Sequence, residues 1–230
     1  MSAKHWLLGL LVLLQVTCAA PQLARADTQV YVVVYIELAP GSSEASGRKI
    51  LDQLASLALT AGALRFDVNR EVQRSNRYVL IETWDSQTAY NAFLGSATTQ
   101  ALITQLVQLE IAPDDERDGT LIQAGKTADA PARPGEIEAV AHIDVILTFV
   151  GQAEPLIQQF VADSASDPGV REFLLVSWDG LTNHFQLIER YDTQKAFDSH
   201  VSAGHSVLFR QSIQPFIDAL YDERVYTVRP

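Results

Sequence analysis

Residues 30–122 of this 230-residue chain return at 137–229 with a constant shift of 107 positions and no gap. Leu80-Ile81-Glu82 meets Leu187-Ile188-Glu189, and Asp85-x-Gln87-x-Ala89 meets Asp192-x-Gln194-x-Ala196. Asp115-Glu116-Arg117 likewise meets Asp222-Glu223-Arg224. Nineteen aligned positions are identical, and others exchange like for like, such as Trp84 with Tyr191 and Tyr90 with Phe197. Solenoid units run to roughly 20–50 residues, so a unit this long is a whole small domain. The body of the chain therefore reads as one domain type used twice, and any function must be read from the pair.

Residues 1–26 stand outside the repeat. Lys4 precedes an apolar run from Trp6 to Leu14, and Ala24-Arg25-Ala26 places small residues before Asp27. This is the layout of a secretory signal peptide, too short in its apolar part for the ~20 residues that span a bilayer. A lipidated Cys18 is the weaker alternative, because Gln15-Val16-Thr17 is a poor approach to it. Cleavage after Ala26 removes the only Met and the only Cys, leaving 15 basic against 28 acidic residues, a net charge of −13. Such a surface repels nucleic acid and anionic lipid. The expected product is secreted or periplasmic, with no membrane partner once the leader is gone.

Within each repeat, period-2 and period-3.6 patterns alternate. An alternating stretch (Val30–Leu38; Ile137–Leu147) leads to a helical stripe (Ile50, Leu54, Leu57, Ala58, Ala61; Ile157, Phe160, Val161, Ala165) that Gly62 and Gly169 end. Two strands follow (Leu64–Val72 and Tyr78–Trp84; Val170–Trp178 and Phe185–Tyr191). Asp85 and Asp192 are placed to cap a second helix, and a short last strand is expected at Gly119–Gln123 and Arg224–Val228. The order βαββαβ predicts an α+β fold of two ferredoxin-like sheets, each with both helices on one face. Their free faces are expected to pack about a pseudo-twofold axis, enclosing a barrel-like space. The predicted units are 27–123 and 136–230, joined by a linker over 124–135 that is rich in Ala, Pro, Gly and charge.

Repeat 2 reads Gly169-Val170-Arg171-Glu172-Phe173, then Leu187-Ile188-Glu189-Arg190-Tyr191-Asp192, Ala196-Phe197, His200 and His205. This pattern resembles the antibiotic-biosynthesis monooxygenase and quinol monooxygenase group, once per repeat over nearly all of residues 29–230. The resemblance implies a dimeric α/β barrel, here made within one chain as a pseudo-dimer. It also implies oxidation of quinols or phenols by dioxygen without metal or flavin, the substrate supplying the electrons once its hydroxyl is deprotonated. The protein then has to exclude water, orient the ring and supply a base. No cofactor is expected; small aromatic molecules and dioxygen are the expected partners. Haem-degrading members of the group have a Trp where Trp84 stands, but the His late on their following helix is Ile103 here, and Arg210 in repeat 2.

The repeats differ where chemistry would sit. His200 and His205 stand against Phe93 and Thr98, and His142 against Tyr35. Repeat 2 is thus the better candidate, with His200, Glu189 and His142 as catalytic residues. His205, Tyr191, Trp84, Tyr35 and Glu82 are the candidates for substrate binding. Each also has a plain reading: a histidine on an apolar stripe as packing, a strand carboxylate as half of an Arg pair, an aromatic as core. The Asp-Glu-Arg triplets read most simply as organisers of the turn into the last strand. A closed space between the sheets lined by His142, Glu189 and His200 would favour an enzyme. A packed apolar one would favour a scaffold that binds a small ligand without turning it over.

Overall fold

Each alternating stretch forms a strand, β1 (Val30–Glu37) and β6 (Ile137–Asp144), in the computed structural model, which describes residues 28–229. The predicted leader lies outside the described residues. Helices α1 (Ser42–Thr60) and α4 (Val150–Ser164) follow and bury their stripes against the sheet, with Leu51, Ala58, Ile157 and Val161 fully enclosed. Both helices are followed by glycines in the left-handed region, Gly62 at φ 102° and Gly169 at φ 84°, where a side chain is costly. Gly169 has a second reason to be glycine: a Cβ there would lie 2.6 Å from that of Ala196.

The next strands are β2 (Arg65–Glu71), β3 (Arg77–Trp84), β7 (Val170–Trp178) and β8 (Leu181–Tyr191). The expected single second helix is two in each repeat: α2 (Gln87–Leu94) and α3 (Ala97–Val107), then α5 (Gln194–Val201) and α6 (Gly204–Ile213). In repeat 1 the break falls at Gly95-Ser96, where the Ser96 hydroxyl accepts from the Thr99 amide and starts a new helix. The helix caps are Ser86 and Thr193, which accept from the amides of Ala89 and Ala196. Asp85 and Asp192, expected in that role, lie one residue too early.

The last strand begins earlier than its sequence pattern suggested. Asp-Glu-Arg opens it in both repeats, as β4 (Asp115–Gly119) and β9 (Asp222–Val228). In repeat 1 the chain continues into β5 (Leu121–Lys126), so Ala124–Lys126 are strand as well. One nine-stranded sheet results, in the order β4-β1-β3-β2-β9-β6-β8-β7-β5. Its two edge strands, β4 and β5, are consecutive in the chain, and the Ser177 and Asp179 amides bond to the carbonyls of Thr120 and Asp118. The sheet therefore curls into a nearly closed barrel with helices outside, which leaves little edge exposed. The registers repeat too: Val30 faces Trp84 as Ile137 faces Tyr191, and Tyr31 faces Gly119 as Glu138 faces Tyr226.

The middle of the barrel interior is packed. Val33, Tyr35, Val79, Ile81, Val140, Leu174, Val176, Ile188 and Tyr226 fill it from both repeats. Two contacts locate the pseudo-twofold axis, since a residue can touch its own equivalent only near that axis. The Tyr35 hydroxyl lies 2.5 Å from His142 Nε2, and Arg65 Nη1 donates to Glu172 at 2.6 Å, both pairs being 107 residues apart. The axis therefore runs down the barrel interior. Around Arg65 is an ionic cluster from both repeats: Arg65 also bonds Asp67 and Glu138, and Arg190 bonds Glu138 at 2.7 Å and Asp67 at 3.0 Å. Glu138 is wholly enclosed. Burial holds its carboxyl up at about 7, with the two guanidinium groups opposing the shift.

Candidate functional site

Strand parity divides the proposed residues between two environments. Tyr35 and His142 point into the barrel. Glu82, Trp84, Glu189 and Tyr191 point to the helix side of the sheet, where α5 and α6 also place His200 and His205. The expected meeting of His142, Glu189 and His200 in one pocket between the sheets does not occur. His142 lies across the sheet from the other two.

Inside the barrel, burial and the positive charges of Arg117 and Arg224 hold His142 down at about 3. It is neutral and shares a hydrogen bond with the Tyr35 hydroxyl, whose own proton is held tightly by burial. Arg224 and Arg117, equivalent residues of the two repeats, lie 4.4 and 5.4 Å from the Tyr35 ring centre. The Asp-Glu-Arg triplets thus line both faces of a strand instead of organising a turn. Asp115–Arg117 and Asp222–Arg224 pair on the barrel face at 2.7 Å, while Glu116 and Glu223 face the helices.

The helix side differs between repeats. In repeat 1 it is filled and satisfied: Trp84 donates to Glu82 at 2.8 Å and packs against Tyr90 and Phe93, and Tyr90 donates to Glu116 at 2.7 Å. In repeat 2 the matching carboxylate, Glu189, accepts from the Tyr191 hydroxyl at 2.5 Å through Oε2. Its Oε1 is buried without a hydrogen-bond partner, as are Tyr221 Oη, Arg210 Nε and Ser206 Oγ. Arg210 and Ser206 share one face of α6, one turn apart. Arg210 pairs with Glu223 at 2.8 Å and stacks on the Tyr221 ring at 4.6 Å. Their counterparts in repeat 1 are Ile103, Thr99, Glu116 and Asp114. Burial, reinforced by Glu223, raises the Glu189 carboxyl to about 8, against the pull of Tyr191 and Arg210. Burial likewise raises Glu82 to about 8.

An open hollow of about 840 Å³ adjoins this cluster, lined by Val207, Arg210, Gln211, Ile213, Leu220 and Tyr221 among others. Arg210 and Tyr221 belong to both, whereas Glu189 is fully buried and does not line the hollow itself. Arg210 was visible in the sequence only as a departure from a histidine pattern. Tyr221 and Glu223 come from the last strand and the loop before it, and no local signal ties them to Glu189.

His200 and His205 lie further along the helix side. His200 is buried against Phe160, Phe173 and Tyr191, and its Nδ1 is 2.8 Å from Asp167 Oδ2. Burial lowers its affinity for a proton, opposed by the Asp167 hydrogen bond. His205, in the first turn of α6 and half-buried, brings Nε2 to 3.1 Å from the same oxygen. Asp167 has no distinguishing sequence context and was not anticipated.

Residues 29–105 match the family described as antibiotic biosynthesis monooxygenase. No curated sequence matches the chain. Among solved structures, a candidate monooxygenase from Fusobacterium nucleatum subsp. nucleatum is similar over 90% of this chain and 94% of its own, with TM-score 0.78 and 13% identity. One from Lactobacillus acidophilus covers 87% and 94%, with TM-score 0.66 and 13% identity. An anthrone oxidase-like protein covers 89% and 92%, with TM-score 0.67 and 12% identity. At such identities the likeness establishes the shared fold, and it extends over both repeats. Residues 29–105 thus match the antibiotic biosynthesis monooxygenase family, and the second repeat keeps the same strand register at a shift of 107, so the chain folds as a tandem of one ferredoxin-like unit.

Proposed function

We propose that the chain is an exported monooxygenase-type oxidoreductase that oxidises a quinol or phenol with dioxygen on the helix side of repeat 2. The family match supports monooxygenase chemistry in general. The observation that carries the finer reading is Glu189: a buried carboxyl with one oxygen held by Tyr191 and the other without a partner, its charged neighbour Arg210 lining a substrate-sized hollow. A phenolic hydroxyl reaching Oε1 gives its proton to the ionised carboxylate. The electron-rich ring then supplies all four electrons that reduce dioxygen, one oxygen atom entering the ring as a quinone carbonyl and the other leaving as water, so no flavin or nicotinamide is needed. Arg210 and Tyr221 stand where the negative charge of the phenolate develops. His142 takes no part in this scheme, being buried in the barrel, and Trp84 and Glu82 belong to the filled repeat.

Oxygen consumption with a panel of small phenols and quinols tests this reading. The change Arg210→Ile, which copies repeat 1, is expected to lower kcat/KM roughly 10–100-fold, as for a lost charged hydrogen bond of about 1.5–3 kcal/mol. A second reading, ligand binding without turnover, draws on the packed barrel interior. Saturable binding of a phenol with no oxygen uptake would establish it in place of the first. Export is tested separately: mass spectrometry of the exported product is expected to find Asp27 as the first residue. A lipid on Cys18 would place the protein on a membrane instead.

A further inference from the structure

Beyond oxidation, we propose that Asp167, His200 and His205 form a binding site for one divalent first-row transition-metal ion in repeat 2. The donor atoms of these three residues lie within 4.8 Å of one another. Both imidazoles converge on a single carboxylate oxygen, His200 Nδ1 at 2.8 Å and His205 Nε2 at 3.1 Å. Donors held about 2.1 Å from a common ion stand roughly 3.0–3.5 Å apart, so little movement is required to close the set.

His205 provides the sharper argument. Its Nε2 is shielded from solvent, yet it has no aligned hydrogen bond, not even to the oxygen beside it. A buried imidazole nitrogen so placed is unsatisfied as a hydrogen-bonding group and well placed as a ligand. The scaffold is firm. Asp167 sits in the turn closed by its own amide on Ser164 and by the Val170 amide on its carbonyl. Phe160 packs against both imidazoles and Phe173 against His200. The three donors come from the α4–β7 turn, the end of α5 and the start of α6, and all three differ from repeat 1, which has Thr60, Phe93 and Thr98.

The donor set selects the ion. Two imidazole nitrogens and one carboxylate suit Zn²⁺, Fe²⁺, Co²⁺ or Ni²⁺, whereas Ca²⁺ and Mg²⁺ prefer oxygen throughout. Three protein ligands leave further coordination positions, and Asp167 and His205 are both partly open to solvent. The ion would lie behind Tyr191, whose ring centre is 5.4 Å from that of His200 and whose hydroxyl holds Glu189.

The test uses the untagged, full mature chain after treatment with chelator, titrated with ZnCl2 by calorimetry and with CoCl2 by visible absorption. One equivalent of either ion is expected, with a thermal midpoint that rises with zinc concentration by mass action. His205→Thr and His200→Phe, both copying repeat 1, and Asp167→Asn are each expected to weaken binding by at least ~10-fold, with circular dichroism unchanged. His184→Gln removes the separate His184–Asp144 pair and is expected to leave binding intact. Failure of the wild type to take up either ion at one equivalent overturns the proposal. So does undiminished binding by folded His205→Thr, or loss of binding in His184→Gln. None of these readouts depends on oxidation, so the site stands or falls apart from the activity proposed above.

Discussion

Glu189→Gln is expected to reduce quinol or phenol oxidation by roughly 10²–10⁴-fold, the range associated with losing a general base. Gln keeps the size and an acceptor for the Tyr191 hydroxyl but cannot take a proton. Glu82→Gln is the matched control, because Glu82 accepts from Trp84, which packs against Tyr90 and Phe93. The pH profile adds an independent check. Burial raises Glu189 to about 8, so the carboxylate needed as a base is scarce at neutral pH. Wild-type kcat/KM should therefore climb as pH rises through about 8, and no such limb should appear for Glu189→Gln. Stability runs the opposite way. A carboxyl raised on folding contributes stability fully below its ordinary value near 4.5, and loses it as pH rises through about 8. Denaturation midpoints followed across that window should fall less steeply for Glu189→Gln than for wild type. Equal oxidation by the two proteins would remove Glu189 from the chemistry.

The largest effect on stability is expected at the axis. Arg65→Met should destabilise the chain by about 3–5 kcal/mol, the usual cost of removing one partner from a buried ionic group. Arg65 bonds Asp67, Glu138 and Glu172, so its loss leaves three carboxylates around Arg190 alone. Urea denaturation at neutral pH measures the difference. Near pH 5 the deficit should shrink, because Glu138, held up at about 7 by burial, then carries its proton and no longer needs a cation. A loss below about 1 kcal/mol would mean that the cluster behaves as a solvated surface set.

The axis also shows what fusing two copies permits. In a symmetric dimer a residue on the twofold axis meets itself, which sets like charges against each other. Here Arg65 meets Glu172 and Tyr35 meets His142. Each is a pairing that identical subunits could not make at that place. The repeats also differ on the helix side, where Phe93, Thr98 and Ile103 of repeat 1 stand against His200, His205 and Arg210 of repeat 2.

The duplication, the alternation of strands and helices and the glycine stops at Gly62 and Gly169 were legible in the sequence, because periodicity and left-handed turns are local properties. Strand parity even predicted that Glu82 shares a face with Trp84 and Glu189 with Tyr191, and each pair is hydrogen-bonded. What parity could not show was which face looks into the barrel, since in both repeats each face of the sheet is buried. That choice separated His142 from Glu189 and His200. The closure of the barrel through β4 and β5, the Arg65 cluster and the convergence of Asp167, His200 and His205 join segments distant in the chain. They follow from how twisted strands from the two repeats meet edge to edge, a geometry on which local pattern is silent. The sequence by itself determined two copies of one α+β unit and the positions at which the copies differ. Only the tertiary structure decided which side chains share a space, because burial and charge pairing act through distance in three dimensions.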